Sequence, residues 1–93
     1  MKYDIQISGH EETIDLKKKD DGTVDGTITS PEGGVGTLHG TWSTDGTIEG
    51  RIELAGHEAK FSAVLRGDSI DGTIRIKVGP FYVPGPSFTG RVA

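Results

Sequence analysis

The 93-residue sequence contains no cysteine and no asparagine, a single glutamine at Gln6 and a single methionine at Met1. Without cysteine, the sequence excludes thiol catalysis, iron–sulfur clusters, cysteine-based zinc sites and disulfides. The absence also favours a reducing compartment, and we expect a cytoplasmic protein. Scarcity of these chemically labile residues is typical of thermophilic proteins, and engineered sequences share it.

Long apolar runs and large regions of one charge are missing as well. No apolar run approaches the ~18 residues that a membrane-spanning helix needs, and the start at Met1 lacks the apolar segment of a signal peptide. The net charge is −4, and the basic residues are scattered except for 17–19. A surface that binds nucleic acid needs an electropositive stripe. We therefore predict neither a membrane span nor nucleic-acid binding.

Alternation of apolar and polar residues runs through the whole sequence. It is clear in residues 2–7, 13–17 and 70–78, and it is typical of half-buried strands. No stretch has the spacing of three and four residues that indicates an amphipathic helix. Turn signals such as Asp-Gly recur about every ten residues. The fold class is therefore all-β: residues 1–93 are predicted to form a single domain, an up-and-down antiparallel meander of about eight short strands.

Closure of this meander into a small β-barrel is the arrangement we expect. An open meander would leave the strands near residues 2–8 and 87–92 with bare edges, and such edges promote aggregation. Pairing these two strands with each other removes both edges. Edge-to-edge dimerisation would remove them as well. The glycine- and threonine-rich strands of the predicted barrel are similar to those of lipocalin- and avidin-type barrels.

A six-residue repeat, Thr/Ser–apolar–any–Gly–Thr/Arg–apolar, occurs five times. The copies begin at Thr23, Thr37, Thr47, Ser69 and Ser87. A sixth, degenerate copy has Ala63 in the glycine position. The glycine always shares the face of its apolar neighbours, so we predict that it points inward. A ring of inward glycines either bends the sheet into a narrow barrel or opens a small apolar cavity.

The alternation also predicts which side chains fill the barrel. The expected inward residues are Ile5, Ile7, Ile14, Leu16, Val24, Ile28, Leu38, Trp42, Ile48, Ile52, Leu54, Phe61, Leu65, Ile70, Ile74, Ile76, Phe88 and Val92. Each large apolar side chain that is fully buried contributes roughly 1.5–3 kcal/mol, so this set is sufficient for a core. None of the set is ionisable.

Aromatic residues provide the candidate ligand-binding site. The side chains that we expect to line it are Trp42, Phe61, Phe81, Tyr82 and Phe88. Residues 79–86 hold three of the four prolines, and we predict that they form the longest loop. Prolines stiffen a loop, so it presents its side chains reproducibly. In this loop, Phe81 and Tyr82 either plug one end of the barrel or form a lid or an exposed patch.

Asp25, His39 and Glu49 occupy the same position in three successive repeats. If neighbouring strands place them side by side, the row could bind a metal ion or act as acid and base. Ordinary charge pairs on a solvated face are the alternative. The sequence has no nucleotide-binding loop followed by a helix and no nucleophile motif. We therefore predict no catalytic residue, no metal site and no cofactor.

The C-terminal part of the sequence resembles a group of small bacterial β domains that are rich in glycine and threonine. The resemblance rests on Gly72-Thr73-Ile74, on Val78-Gly79-Pro80-Phe81 and on Phe88-Thr89-Gly90-Arg91. It covers about the last two-thirds of the chain, and its motifs are structural. The group implies a β fold and no function. Lipocalin- and avidin-type barrels, which have similar glycine–threonine strands, bind small ligands.

Four functions remain open at this point. The first is a non-catalytic binding module for an apolar small molecule. The second is an accessory protein or homo-oligomer that docks through the loop at 79–86. The third is a barrel enzyme of the cyclase or isomerase type, and we expect no enzyme because the inward set has no ionisable group. The fourth is an engineered scaffold without a natural function.

Overall fold

Eight antiparallel strands form a closed barrel. The computed structural model describes residues 1–31, 34–54 and 56–93. The strands are β1 (Lys2–Ile7), β2 (His10–Lys18), β3 (Thr23–Thr29), β4 (Val35–Trp42), β5 (Thr47–Leu54), β6 (His57–Arg66), β7 (Ser69–Val78) and β8 (Phe81–Val92). Each strand pairs with the next, and β8 pairs with β1. The predicted all-β meander and its closure are confirmed. No helix in the described ranges could cross a membrane.

The closing pair joins the two ends of the chain. Its register runs from Tyr3 opposite Val92 to Ile7 opposite Phe88. These are the two strand edges for which the sequence predicted pairing. The pairing stops at Phe88, whereas β8 begins at Phe81. Residues 81–87 therefore project beyond β1 and pair only with β7 among the described strands.

The turns divide the barrel into two ends. Turns after β1, β3, β5 and β7 lie at one end, which we call the tip end. Turns after β2, β4 and β6 lie at the other end, together with both chain termini. We call it the terminal end. Positive φ angles of +84° at Gly22 and +90° at Gly46 match the predicted Asp-Gly turns. The turns predicted at 31–34 and 55–57 include Glu32, Gly33 and Ala55, which lie outside the described residues.

The barrel interior is filled by alternate side chains. The buried core residues are Tyr3, Ile5, Ile14, Leu16, Val24, Ile28, Leu38, Ile48, Ile52, Phe61, Ala63, Ile70, Ile74 and Phe88. The expected inward residues Ile7, Trp42 and Leu65 are half-buried against this core. The predicted burial of Leu54, Ile76 and Val92 is wrong, since they are exposed. All three lie near strand ends, where neighbouring strands no longer cover them.

The repeat glycines let neighbouring strands approach closely. A Cβ atom at Gly50 would collide with the carbonyl oxygen of His39 on β4, and one at Gly90 would collide with that of Asp4 on β1. At Gly72 the obstacle is the ring of Phe88 as well as the backbone of β6. Glycine is the residue that tolerates such contacts at a bend in a strand. The ring of glycines therefore tightens the barrel around its core.

The loop predicted at residues 79–86 is wrong. Only Gly79 and Pro80 form the turn, and β8 begins immediately after them at Phe81. Pairing with β7 runs from Val78 opposite Phe81 to Arg75 opposite Pro84. The prolines are accommodated because this part of β8 has an open edge and a bulge, the positions at which strands tolerate proline.

Candidate functional site

The barrel interior has almost no free space. The cavity at its centre has a volume of only about 10 Å³. That volume is about the minimum needed for one water molecule, and a water also needs polar partners. The space is lined by apolar side chains, including Phe61 and Phe88. In this conformation, these two predicted ligand-binding residues serve as core packing.

The five predicted ligand-binding residues do not surround one site. Trp42 ends β4 at the terminal end, where the Lys18 ammonium lies 5.1 Å from the centre of its ring. Phe81 and Tyr82 begin β8 at the tip end. Phe61 and Phe88 are buried in the core. The barrel therefore separates Trp42 from the aromatic pair on β8.

A β-bulge sets the direction of the side chains at the start of β8. Ser87 lies opposite Thr73 and Pro84 lies opposite Arg75, so Gly85 and Pro86 together face the single residue Ile74. One extra residue in a strand reverses which side chains point to each face. Phe81 and Val83 consequently share the face of their β7 partners, which is the continuation of the barrel's inner face.

The result is an exposed cluster of four apolar side chains, which we call the apolar tip. It consists of Ile76, Val78, Phe81 and Val83. Their exposed fractions are 45%, 56%, 71% and 38%, respectively. Pairing of β6 with β7 ends at Ile76, and pairing of β1 with β8 ends at Phe88. No described strand covers the face that the tip presents.

Tyr82 lies on the opposite face of the same hairpin. Its ring is 4.3 Å from the ammonium nitrogen of Lys60, a cation–π contact. Its hydroxyl donates a 3.4 Å hydrogen bond to Oε1 of Glu58, and the same oxygen lies 3.4 Å from Nη1 of Arg51. These contacts hold Tyr82 against the outer surface of β5–β7. Tyr82 and Phe81 therefore belong to different surfaces.

Of the row considered for Asp25, His39 and Glu49, only the contact between Asp25 and His39 is formed. Asp25 Oδ1 is 2.7 Å from His39 Nδ1, and its Oδ2 is 2.6 Å from Nζ of Lys19. Hydrogen bonds from Lys19 and then from His39 lower the pKa of the Asp25 carboxyl. The residue opposite His39 on β5 is Arg51, whereas Glu49 lies opposite Thr41. No group of three metal-ligating side chains occurs in the described part of the chain.

Comparison with known proteins assigns the chain to no family. No model of a known protein family matches the sequence, and no curated protein matches it significantly. The candidate site is therefore defined by geometry alone. The apolar tip is the feature that the barrel itself does not require.

Sequence reasoning identified Phe81 but missed its partners in the tip. Ile76 was expected in the core, and neither Val78 nor Val83 was a candidate. The signal that could have found them is Pro84-Gly85-Pro86, where the alternation of β8 breaks. Such a break within a strand is typical of a bulge on an open edge.

Proposed function

We propose that the protein is a binding module whose binding surface is the apolar tip, and that two copies associate through it. The observation that carries the proposal is the uneven distribution of exposed apolar side chains. Eight large ones are exposed in the described part of the chain, and six lie at the tip end: Val35, Leu54, Ile76, Val78, Phe81 and Val83. Clustered exposure of this kind is characteristic of interaction sites.

A protein surface fits the tip better than an apolar small molecule does. Small-molecule sites are concave and bury roughly 70–90% of a ligand, whereas Phe81 is 71% exposed on a projecting hairpin. An exposed apolar surface is complementary to another exposed apolar surface. A second copy supplies that partner in a two-fold arrangement, the commonest symmetry of oligomers.

The expected dimer is weak and depends on protein concentration. Stable interfaces bury about 800 Å² on each partner, from about 20–30 residues, and the tip has four side chains. Strand addition at the edge of β8 is disfavoured because Pro84 and Pro86 lack N–H donors. The contact therefore depends on side chains, and removing their apolar surface abolishes it.

Sedimentation velocity from about 10 µM to about 1 mM protein tests this proposal. We expect the average sedimentation coefficient of the wild-type protein to rise with concentration. The double variant Val78→Thr/Phe81→Ser stays monomeric. The matched control is Val92→Thr, because Val92 is 47% exposed at the terminal end. It should associate as the wild type does.

Two results would overturn self-association through the tip. One is a wild-type protein that remains monomeric across the whole concentration range. The other is a double variant that associates as strongly as the wild type. The control separates a specific contact from a general loss of surface hydrophobicity, since it removes a valine of similar exposure.

Binding of an apolar small molecule inside the barrel is the second candidate function. The observation that favours it is the wholly apolar lining of the residual interior space. With only about 10 Å³ free, a ligand enters only if the core side chains move apart. Thermal melting with a panel of apolar compounds tests it: a rise in melting temperature supports interior binding. If none of the compounds shifts melting, this candidate is excluded.

A further inference from the structure

Three basic side chains form a row on the outer face of β5–β7. Arg51 lies directly opposite Lys60, and Lys60 lies directly opposite Arg75. Directly opposed residues on neighbouring strands have Cβ atoms about 4.5–5.5 Å apart, and like charges at this spacing repel each other. The sheet therefore concentrates positive charge on one face of a chain whose net charge is −4.

The row borders a shallow groove of about 380 Å³. Ser62 and Thr73, which are cross-strand partners in the adjoining row, contribute hydroxyl groups to the same groove. Glu49 also lines it and is its one acidic residue. The groove thus combines hydrogen-bond donors with positive charge, which is the chemistry that recognises phosphate-type oxyanions.

The cations of the row are poorly neutralised by the protein itself. Within the described residues, Arg75 forms no ion pair or side-chain hydrogen bond, and Lys60 has no carboxylate partner. Arg51 has one contact, the 3.4 Å pair with Glu58. A guanidinium group carries five N–H donors, so Arg51 retains most of its donors for a ligand.

Tyr82 restrains the middle cation of the row. The Lys60 ammonium is 4.3 Å from the centre of the Tyr82 ring, and Tyr82 lies opposite Lys77 on β7, the next outward residue after Arg75. The ring therefore restrains the Lys60 ammonium on the outer face of the sheet. A side chain restrained before binding loses less conformational entropy when a ligand arrives.

We infer that the groove bordered by Arg51, Lys60 and Arg75 is a binding site for a small phosphate-type oxyanion. The guanidinium groups donate hydrogen bonds to the anion, the hydroxyls of Ser62 and Thr73 donate from one side, and Lys60 supplies charge. The Glu49 carboxylate opposes binding and limits the affinity. The site lies on the outer surface of the sheet, whereas the apolar tip continues its inner face, so the two functions are independent.

NMR titration with inorganic pyrophosphate tests the inference, with sodium chloride at equal ionic strength as the reference. We expect saturable shifts of the Arg51 and Arg75 Nε–H signals and of the Ser62 and Thr73 amides. The dissociation constant should be on the order of 1 mM, since the site is open to solvent. Shifts that sodium chloride reproduces would overturn the inference, because they report ionic strength alone.

Variants distinguish binding in this groove from a general attraction of the anion to positive charge. Arg75→Gln should weaken pyrophosphate binding about tenfold, because it removes a charge-assisted donor. Glu49→Gln should tighten binding about threefold by removing the opposing carboxylate. Arg91→Gln changes the net charge equally on β8 and should leave binding unchanged. Equal weakening by Arg75→Gln and Arg91→Gln would overturn the assignment of the groove.

Discussion

The ring of Phe88 on β8 lies against Gly72, its cross-strand partner on β7. The place that a side chain at position 72 would occupy is thus filled by the neighbouring aromatic ring. The same glycine is close to the backbone of β6, since an added Cβ atom would be 2.7 Å from the carbonyl oxygen of Ser62. Gly72 therefore allows both the close approach of β6 and the burial of Phe88.

The first prediction concerns this contact. Gly72→Ala should lower the free energy of unfolding by about 2–3 kcal/mol, because the new methyl group overpacks a filled core. Urea denaturation measures the change. Gly34→Ala is the matched control, since the nearest atom to a Cβ there is 3.8 Å away, an ordinary contact. Its effect should stay within about 0.5 kcal/mol.

A double-mutant cycle identifies the atoms responsible. Phe88→Leu removes the ring but not the backbone contact of β6, so it should recover part of the loss caused by Gly72→Ala. Additive effects of the two substitutions would contradict the packing relationship between Gly72 and Phe88. An unchanged stability of Gly72→Ala itself would contradict the close approach of β6.

The architecture could be predicted from the sequence because its signals are local. Alternation in residues 2–7 and 70–78 defines strand faces, and Asp-Gly turns join neighbouring strands. Closure followed from the instability of two bare edges. The strand faces and the turns could be inferred from residues close together in the sequence, and closure from the presence of two unpaired edge strands. The prediction that Ile5 and Ile74 point into the barrel is therefore confirmed.

The bulge in β8 could not be located by the same reasoning. Strict alternation back from Phe88 puts Tyr82 on the inner face, whereas the extra residue at Gly85–Pro86 puts Phe81 there instead. A single inserted residue exchanges the two faces of everything beyond it. The prolines and the broken alternation of residues 79–86 indicated a loop, whereas a strand with an open edge and a bulge tolerates both. The apolar tip remained hidden for the same reason.

Contacts between side chains on different strands could be identified only once the strand register was known. A shared repeat position left open whether Glu49 or another residue lies opposite His39. The pairing of β4 with β5 places Arg51 there. The registers of β5 with β6 and of β6 with β7 place Arg51 opposite Lys60 and Lys60 opposite Arg75. Repeat position alone does not determine which residues of antiparallel strands are opposite each other.

The second prediction concerns alkaline pH. Tyr3 is 1% exposed, and burial raises the pKa of its phenol above the ordinary value of 10.0, with the nearby charge of Asp68 as a second cause. The folded state therefore holds the phenolic proton more tightly than the unfolded state does. The resulting stability is fully present below pH 10.0 and is lost as the pH rises through the higher folded-state pKa.

Denaturation at a series of pH values from about 8 to about 11.5 checks this prediction. The free energy of unfolding of the wild-type protein should fall more steeply at the alkaline end than that of Tyr3→Phe. The comparison isolates Tyr3, because all other titrating groups are common to both proteins. Parallel profiles would mean that the Tyr3 phenol titrates equally in the folded and unfolded states.

The third prediction concerns the open edge of β8. Residues 81–87 have no second neighbouring strand in the described part of the barrel, and Pro84 and Pro86 remove two N–H donors from them. Prolines on an edge prevent another strand from adding to it. Pro84→Thr/Pro86→Thr should keep the barrel folded, because both residues lie in the part of β8 that extends beyond β1, and should accelerate aggregation. Light scattering on heating measures the aggregation rate.

A second variant separates strand addition from a loss of stability. Pro84→Lys/Pro86→Lys restores the same N–H donors but adds positive charge, which keeps a second edge away. It should aggregate more slowly than the threonine variant at equal thermal stability. If both variants aggregate at the wild-type rate, the prolines do not protect this edge. If both accelerate equally, the loss of proline rigidity, and not edge pairing, controls aggregation.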